Sequence, residues 1–177
     1  MKRKQPVPSE APTRTVEITV DGIRRDLLVE DRELLLDTLR ERVGAKAPKA
    51  GCYAGDCGAC TVELDGKIVK SCLQLTAAVD GAEVTTLAGL VDPGEELDPI
   101  QQAFWDNDAF QCGFCLSGFV FAARDLLARN PDPSEEEIRE AMVGNYCRCT
   151  GYVNYVAGVR EAAGRISPDR STLGPQR

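Results

Sequence analysis

The sequence contains no histidine, few aromatic residues and no long apolar run. Without histidine, the chain cannot form a Ser-His-Asp triad, a Rieske centre, a Cys₂His₂ zinc site or a proximal haem ligand, and it lacks the usual general base near neutral pH. Its apolar segments are shorter than the roughly 18 residues that suggest a membrane span. The net charge of -7 argues against a nucleic-acid partner, because phosphate binding needs clustered lysine and arginine.

Both ends of the 177-residue chain are polar. Residues 1–4 are basic like the start of a signal peptide, but residues 5–14 contain three prolines and no apolar stretch. We therefore expect a disordered tail over 1–13, no export signal and a cytoplasmic location. Residues 167–177 are predicted to form a second tail.

The first half of the chain carries the signals of β-hairpins. Apolar residues alternate with polar ones around Asp21-Gly22 and Asp65-Gly66, and an Asp-Gly pair favours a tight hairpin turn. A helix is predicted over 33–43 and a further short strand over 84–86. Two hairpins and one helix predict a β-grasp layout over residues 14–90.

The second half has helical patterns. Two capping boxes predict helix starts; they are formed by Asp98 with Gln101 and by Ser134 with Glu137. An apolar stripe with i, i+3, i+4, i+7 spacing predicts another helix over 116–127, and a last one is predicted over 153–163, ended by Gly164. We expect a four-helix domain over 91–166, which makes the fold class α+β.

Cysteine is the residue type whose arrangement points to chemistry, and the eight cysteines form two sets. The first set has the spacing C-x4-C-x2-C-x11-C and comprises Cys52, Cys57, Cys60 and Cys72. Its first three members match the plant-type ferredoxin spacing for a [2Fe–2S] cluster. Interleaved glycines allow the positive-φ conformations with which a loop wraps a cluster and turns its N–H groups toward the sulfurs.

The second set has the spacing C-x2-C-x31-C-x-C and comprises Cys112, Cys115, Cys147 and Cys149. Each pair lies at the edge of a predicted helix, so two helix ends could converge on one metal site. Spacing alone leaves structural zinc open for this set. Disulfides are disfavoured because the cysteine content is well below the roughly 8–10% of disulfide scaffolds, and eight thiols at ligand spacing disfavour catalytic or redox-sensing cysteines.

Three segments together resemble the small iron–sulfur subunit of the molybdenum hydroxylases, the family of xanthine dehydrogenase, aldehyde oxidoreductase and carbon monoxide dehydrogenase. They are GCYAGDCGACTV at 51–62, QCGFC at 111–115 and GNYCRCTGY at 144–152. The resemblance extends from about Val16 to Ala163 in the family's order and spacing. Tyr53 departs from it, since the family often has a small or acidic residue there.

The resemblance implies a ferredoxin-like β-grasp domain followed by a four-helix-bundle domain, each with one [2Fe–2S] cluster. In the family the helical domain holds the proximal cluster, nearest the molybdenum cofactor, which here assigns that cluster to Cys112, Cys115, Cys147 and Cys149. Cys52, Cys57, Cys60 and Cys72 would hold the distal cluster. Gln111 and Cys149 would approach the pterin of the cofactor.

The same resemblance implies partners. A large subunit would carry molybdopterin, expected as the cytosine dinucleotide, and would oxidise the substrate. A medium subunit with FAD, or another acceptor, would receive the electrons, and this chain alone would be catalytically silent. The alternatives are a free-standing ferredoxin-like carrier and a zinc-stabilised interaction module.

Overall fold

Residues 11–91 and 94–166, which the computed structural model describes, form a five-stranded sheet followed by four helices of at least eight residues. The strands are β1 (Thr13–Val20), β2 (Ile23–Glu30), β3 (Thr61–Leu64), β4 (Lys67–Lys70) and β5 (Glu83–Thr85). The helices are α1 (Leu35–Asp37), α2 (Pro99–Asp106), α3 (Leu116–Arg129), α4 (Glu135–Met142) and α5 (Tyr152–Ile166). A π-helical segment, Thr38–Val43, continues α1, and 3-10 turns occur at Ser71–Leu73, Thr76–Ala78 and Leu87–Leu90.

The structure confirms both predicted hairpins. Asp21 and Gly22 have φ angles of 49° and 75°, and Asp65 and Gly66 have φ angles of 48° and 76°. Two consecutive positive φ values define the tight turn whose twist matches antiparallel strands. Residues 1–10 of the tail predicted over 1–13, and the whole tail predicted over 167–177, lie outside the described residues. Thr13, assigned to the first tail, belongs to β1.

The sheet has the order β2-β1-β5-β3-β4. Its two hairpins are joined through β5, which pairs parallel to β1 and antiparallel to β3. The strand predicted over 84–86 is observed one residue earlier, at Glu83–Thr85. The inward side chains of β1 form a core with Leu35 and Leu39, so the segment after β2 covers one face of the sheet.

The helix predicted over 33–43 is shorter and less regular than expected. Only Leu35–Asp37 is α-helical, and the next turn is π-helical before Gly44 ends it at φ 83°. Both predicted capping boxes are present, at Asp98 with Gln101 and at Ser134 with Glu137.

The end predicted for the last helix is wrong, because α5 continues through Gly164 to Ile166. Arg165 forms ion pairs with Asp106 on α2 and with Glu161 on its own helix. These contacts hold the last turn in place although a glycine disfavours a helix interior.

A second apolar core joins the helices. Phe119 on α3 stacks on Tyr155 on α5, with ring centroids 3.8 Å apart, and Phe104 on α2 meets the same tyrosine edge-on at 5.0 Å. The helical half therefore has its own buried centre beside the sheet. Within the described ranges, no helix is both long and apolar enough to cross a membrane.

Candidate metal centres

The first cysteine set lies where the loop after α1 meets the β3–β4 hairpin. Cys52, Cys57 and Cys60 belong to the loop that enters β3, and Cys72 lies in the turn that follows β4. The Ser71 hydroxyl donates a hydrogen bond of 2.7 Å to the Cys60 carbonyl and so ties that turn to the loop. The hairpin therefore returns the fourth cysteine to the other three.

The sulfur of Cys52 accepts hydrogen bonds from the backbone. The N–H of Ala54 lies 3.3 Å from this sulfur and that of Cys57 lies 3.5 Å from it. These donors lower the pKa of the Cys52 thiol to about 7, because they stabilise the thiolate. The thiolate is the form that binds metals. These two contacts also confirm that backbone N–H groups face the sulfur of Cys52, as predicted.

Cys60 and Cys72 are the buried members of this set. Leu36 and Ala50 pack against them. Burial raises the pKa of the Cys72 thiol to about 11, since desolvation disfavours the thiolate. A bound metal reverses this preference, because the ion replaces the proton.

The second set lies where the start of α3 meets the loop between α4 and α5. Cys112 and Cys115 precede α3, and Cys147 and Cys149 lie in that loop. The sulfurs of Cys112 and Cys149 are 3.5 Å apart. A hydrogen bond from the N–H of Phe114 lowers the pKa of the Cys112 thiol. Two segments separated by more than thirty residues thus converge at one place.

Cys115 and Cys147 are the buried members of this set. The Tyr155 hydroxyl lies 3.4 Å from the sulfur of Cys115, and the N–H of Gly151 donates to the sulfur of Cys147 at 3.4 Å. Burial raises the pKa of the Cys115 thiol to about 11 and also raises the pKa of Tyr155. Tyr155 therefore keeps its proton and is available as a donor to a sulfur.

Each set thus has two buried cysteines and two more exposed ones. Cys60, Cys72, Cys115 and Cys147 are buried, whereas Cys52, Cys57, Cys112 and Cys149 are exposed or partly exposed. None of the eight cysteines forms a disulfide. Over residues 11–91 and 94–166, no three Cys, Asp or Glu side chains gather closely enough to hold a single ion. A Cys₄ [2Fe–2S] cluster takes four thiolates, which each set supplies.

Gln111 and Cys149, which the resemblance places toward a pterin, are adjacent at the edge of the second set. The Gln111 side-chain amide donates a hydrogen bond of 3.3 Å to the Cys149 carbonyl, and Gln111 is exposed. Gln111 therefore has a local hydrogen-bond partner and is also accessible at the surface.

The two cysteine sets are linked across the junction of sheet and helices. The N–H of Tyr146, just before Cys147, donates a hydrogen bond of 3.0 Å to the carbonyl of Cys57. Nearby, the buried Ser117 hydroxyl donates a hydrogen bond of 2.8 Å to the Thr61 carbonyl. A ligand candidate of one set is therefore joined to the neighbour of a ligand candidate of the other.

Two glycines permit this close approach. A Cβ on Gly58 would lie 2.6 Å from the carbonyl oxygen of Gly144, and one on Gly118 would lie 2.5 Å from that of Gly58. Asn145 is buried beside both glycines, and its Oδ1 has no hydrogen-bond partner among the described residues. Sequence reasoning missed Asn145 and Ser117, because no local spacing indicates which backbones meet across the junction.

Two family models match the chain. The 2Fe-2S iron-sulfur cluster binding domain matches residues 18–88, and the [2Fe-2S] binding domain matches residues 86–160. The fold and the two cysteine sites thus define an iron–sulfur protein with two cluster-binding domains.

Known proteins of similar sequence and structure narrow this class. The nicotine 6-hydroxylase small subunit of Paenarthrobacter nicotinovorans is 45% identical over 159 residues, which are 90% of this chain and 95% of that protein. The nicotinate dehydrogenase small FeS subunit of Eubacterium barkeri is 42% identical, with 86% of this chain and 97% of that protein covered. A chain of quinoline 2-oxidoreductase from Pseudomonas putida 86 superposes with a TM-score of 0.82 and 40% identity, covering 91% of this chain and 99% of its own.

The chain belongs to the family of small iron–sulfur subunits of the molybdenum hydroxylases. It is an electron-transfer subunit of an oxidoreductase complex and is not a complete enzyme by itself. The expected family, the α+β fold class and the expected large molybdopterin-binding partner are therefore confirmed. The electron-transfer subunit is also supported over the two alternatives, a free-standing carrier and a zinc-stabilised module.

Proposed function

We propose that this chain passes electrons from a molybdenum centre on a large partner subunit toward a flavin or another acceptor, through two [2Fe–2S] clusters. The arrangement of its free thiols carries the proposal: two sets of four cysteines meet at the Tyr146–Cys57 hydrogen bond. When bound, such clusters accept and release single electrons. The chain's own part is to hold them, tune them and connect them.

The proposal assigns the cysteines as the resemblance does. The distal cluster is held by Cys52, Cys57, Cys60 and Cys72, and the proximal cluster by Cys112, Cys115, Cys147 and Cys149. Three observations support these two groups: the contact between the Cys112 and Cys149 sulfurs, the backbone N–H groups directed at Cys52 and Cys147, and the lowered pKa of the Cys52 and Cys112 thiols.

A short connection between the two groups supports their use as a relay. Cys147 is covalently joined to Tyr146, whose N–H bonds to the carbonyl of Cys57 at 3.0 Å. Covalent bonds and a single hydrogen bond therefore lead from a proposed ligand of one cluster to a proposed ligand of the other.

The side facing the molybdenum subunit is proposed to be the exposed edge with Gln111 and Cys149. Gln111 is accessible, and its contact with the Cys149 carbonyl holds the two residues together. A Gln111→Ala substitution should leave both clusters in place and slow their reduction by substrate in the assembled enzyme. Rapid-mixing spectroscopy measures this, and an unchanged reduction rate would remove Gln111 from the path.

The proposal keeps the domain division at 14–90 and 91–166, which the separate apolar cores of the sheet and of the helices support. It also keeps a cytoplasmic location, since eight free thiols suit a reducing compartment. A medium FAD subunit and the cytosine dinucleotide form of the cofactor are proposed from the family resemblance.

Elemental analysis of the full chain, isolated with the partner chains that co-purify, tests the proposal. We expect about four irons and four acid-labile sulfides per chain, from two Cys₄ [2Fe–2S] sites. Stoichiometric zinc with little iron would refute it. Iron-loaded chain that co-purifies with no molybdenum subunit would instead support a free-standing carrier.

A further inference from the structure

Tyr53 follows the first cysteine of the first set, and its side chain is anchored outside that loop. Its hydroxyl donates a hydrogen bond of 2.8 Å to Oδ1 of Asp37, the last residue of α1. The Tyr53 ring is half exposed, at 49%. The hydrogen bond, more than burial, therefore fixes this side chain.

The backbone of Tyr53 is in the left-handed region, at φ 57°. A residue other than glycine rarely adopts this conformation and holds it only when its surroundings impose it. Gly55 and Gly58 adopt positive φ freely in the same loop. Tyr53 therefore needs a restraint that these glycines do not need, and its bond to Asp37 supplies one.

The conformation of Tyr53 determines the direction of the next amide. The N–H of Ala54 lies 3.3 Å from the sulfur of Cys52. If residue 53 leaves the left-handed region, the peptide between residues 53 and 54 rotates and this N–H turns away from the sulfur.

The anchor is itself tied to the buried thiols of the set. Leu36, the neighbour of Asp37 in α1, packs against Cys60 and Cys72. The same short helix thus contacts the inner pair directly and holds the outer loop through Tyr53.

We propose that Tyr53 is a positioning residue: its hydrogen bond to Asp37 holds the Ala54 N–H on the Cys52 sulfur and raises the reduction potential of the cluster bound by this set. Reduction adds negative charge, which an N–H directed at a ligand sulfur stabilises, so losing this donor lowers the potential. The inference rests on the proposed function, because it requires a cluster at these cysteines.

The test is a redox titration of the full chain with its co-purifying partners, followed by EPR of each cluster separately. Tyr53→Phe keeps the ring and removes the hydroxyl, so we expect a more negative potential for the first-set cluster and no change for the second. Asp37→Asn keeps an acceptor oxygen and should give a smaller shift in the same direction. Tyr53→Gly removes the anchor but adopts positive φ freely, so its potential should lie closer to wild type than that of Tyr53→Phe.

Glu41→Gln is the matched control for removing an acidic charge. Glu41 lies in the π-helical segment after α1, where it forms an ion pair with Lys46. Removing its charge should leave the potentials of both clusters unchanged. An unchanged first-set potential in Tyr53→Phe, equal shifts of both clusters, or a Tyr53→Gly shift as large as that of Tyr53→Phe would overturn the inference. If the Tyr53→Phe variant loses its cluster, the first-set potentials of Asp37→Asn and Tyr53→Gly still test the inference. Failure of the wild-type chain to contain iron would refute the proposed function instead.

Discussion

The N–H of Tyr146 donates a hydrogen bond of 3.0 Å to the carbonyl of Cys57, and this bond crosses from the helical half of the chain to the sheet half. Tyr146 precedes Cys147 in the second set, and Cys57 belongs to the first. The ammonium group of Lys70 adds a second link nearby, 3.1 Å from the Gly144 carbonyl. The geometry of each cysteine set therefore depends on the position of the other.

Gly118→Ala is expected to weaken this junction. Its Cβ would lie 2.5 Å from the backbone oxygen of Gly58, so one of the two backbones must shift. Overpacking of this kind costs about 1–3 kcal/mol of unfolding free energy, and thermal unfolding should show a lower Tm.

Gly164→Ala is the matched control, since Gly164 is also helical and a Cβ added there would meet no atom within 4 Å. It should stabilise the chain by about 0.5–1 kcal/mol, because alanine loses less backbone entropy than glycine in a helix. A neutral Gly118→Ala variant would show that the junction is looser than these distances indicate.

Single cysteine substitutions should separate the two clusters. Cys57→Ser should perturb one EPR signal of the reduced protein and Cys115→Ser the other, because each replaces a ligand in a different set. The two signals should differ in wild type, since N–H donors and exposure differ between the sets. Loss of the same signal in both variants would contradict the proposed grouping of cysteines.

Tyr155→Phe should alter the second-set cluster selectively. The substitution removes the hydroxyl that lies 3.4 Å from the Cys115 sulfur and retains the stacked ring on Phe119. We expect a more negative potential for that cluster, measured by redox titration, with the first-set cluster as internal reference. Equal potentials in variant and wild type would exclude Tyr155 as a donor to this sulfur.

The N-terminal cap of α4 should make local stability depend on pH. Hydrogen bonds from the backbone and side chain of Ser134 lower the pKa of Glu137 from its ordinary value of 4.5. A lowered folded-state pKa gives stability that is present above pH 4.5 and is lost as the pH falls through the folded-state value.

Hydrogen exchange of the α4 amides measures this effect. Glu137→Gln should reduce protection at pH 7, and its difference from wild type should shrink as the pH falls below 4.5. Ser134→Ala should cost about 0.5–2 kcal/mol, as loss of an N-cap does. A difference from wild type that is constant across this pH range would rule out the Glu137 charge as the cause.

Local chemistry made much of the fold predictable. The Asp21-Gly22 and Asp65-Gly66 turns and both capping boxes form where their residue types indicate, because each depends on contacts within a few positions. Gly164 was misleading, since ion pairs of Arg165 with Asp106 and Glu161 extend α5 past it. The cost of one helical glycine is small beside such tertiary contacts.

The cysteine sets were predictable from spacing, but their connection was not. Nothing near Cys57 or Tyr146 in the sequence indicates that these two backbones meet, and Asn145 fits between two glycines that lie sixty residues apart. The anchor between Tyr53 and Asp37 was equally hidden, because it depends on where α1 lies relative to the loop. Contacts between distant segments follow from the packed fold and not from local periodicity.

Burial makes the four thiols of the first set unequal in their access to solvent. Cys60 and Cys72 are 2% and 3% exposed, whereas Cys52 is exposed. The bond from Tyr146 to Cys57 holds the loop between α1 and β3 against the helical half. A group bound at this set would therefore be shielded on the side of Cys60 and Cys72 and open on the side of Cys52.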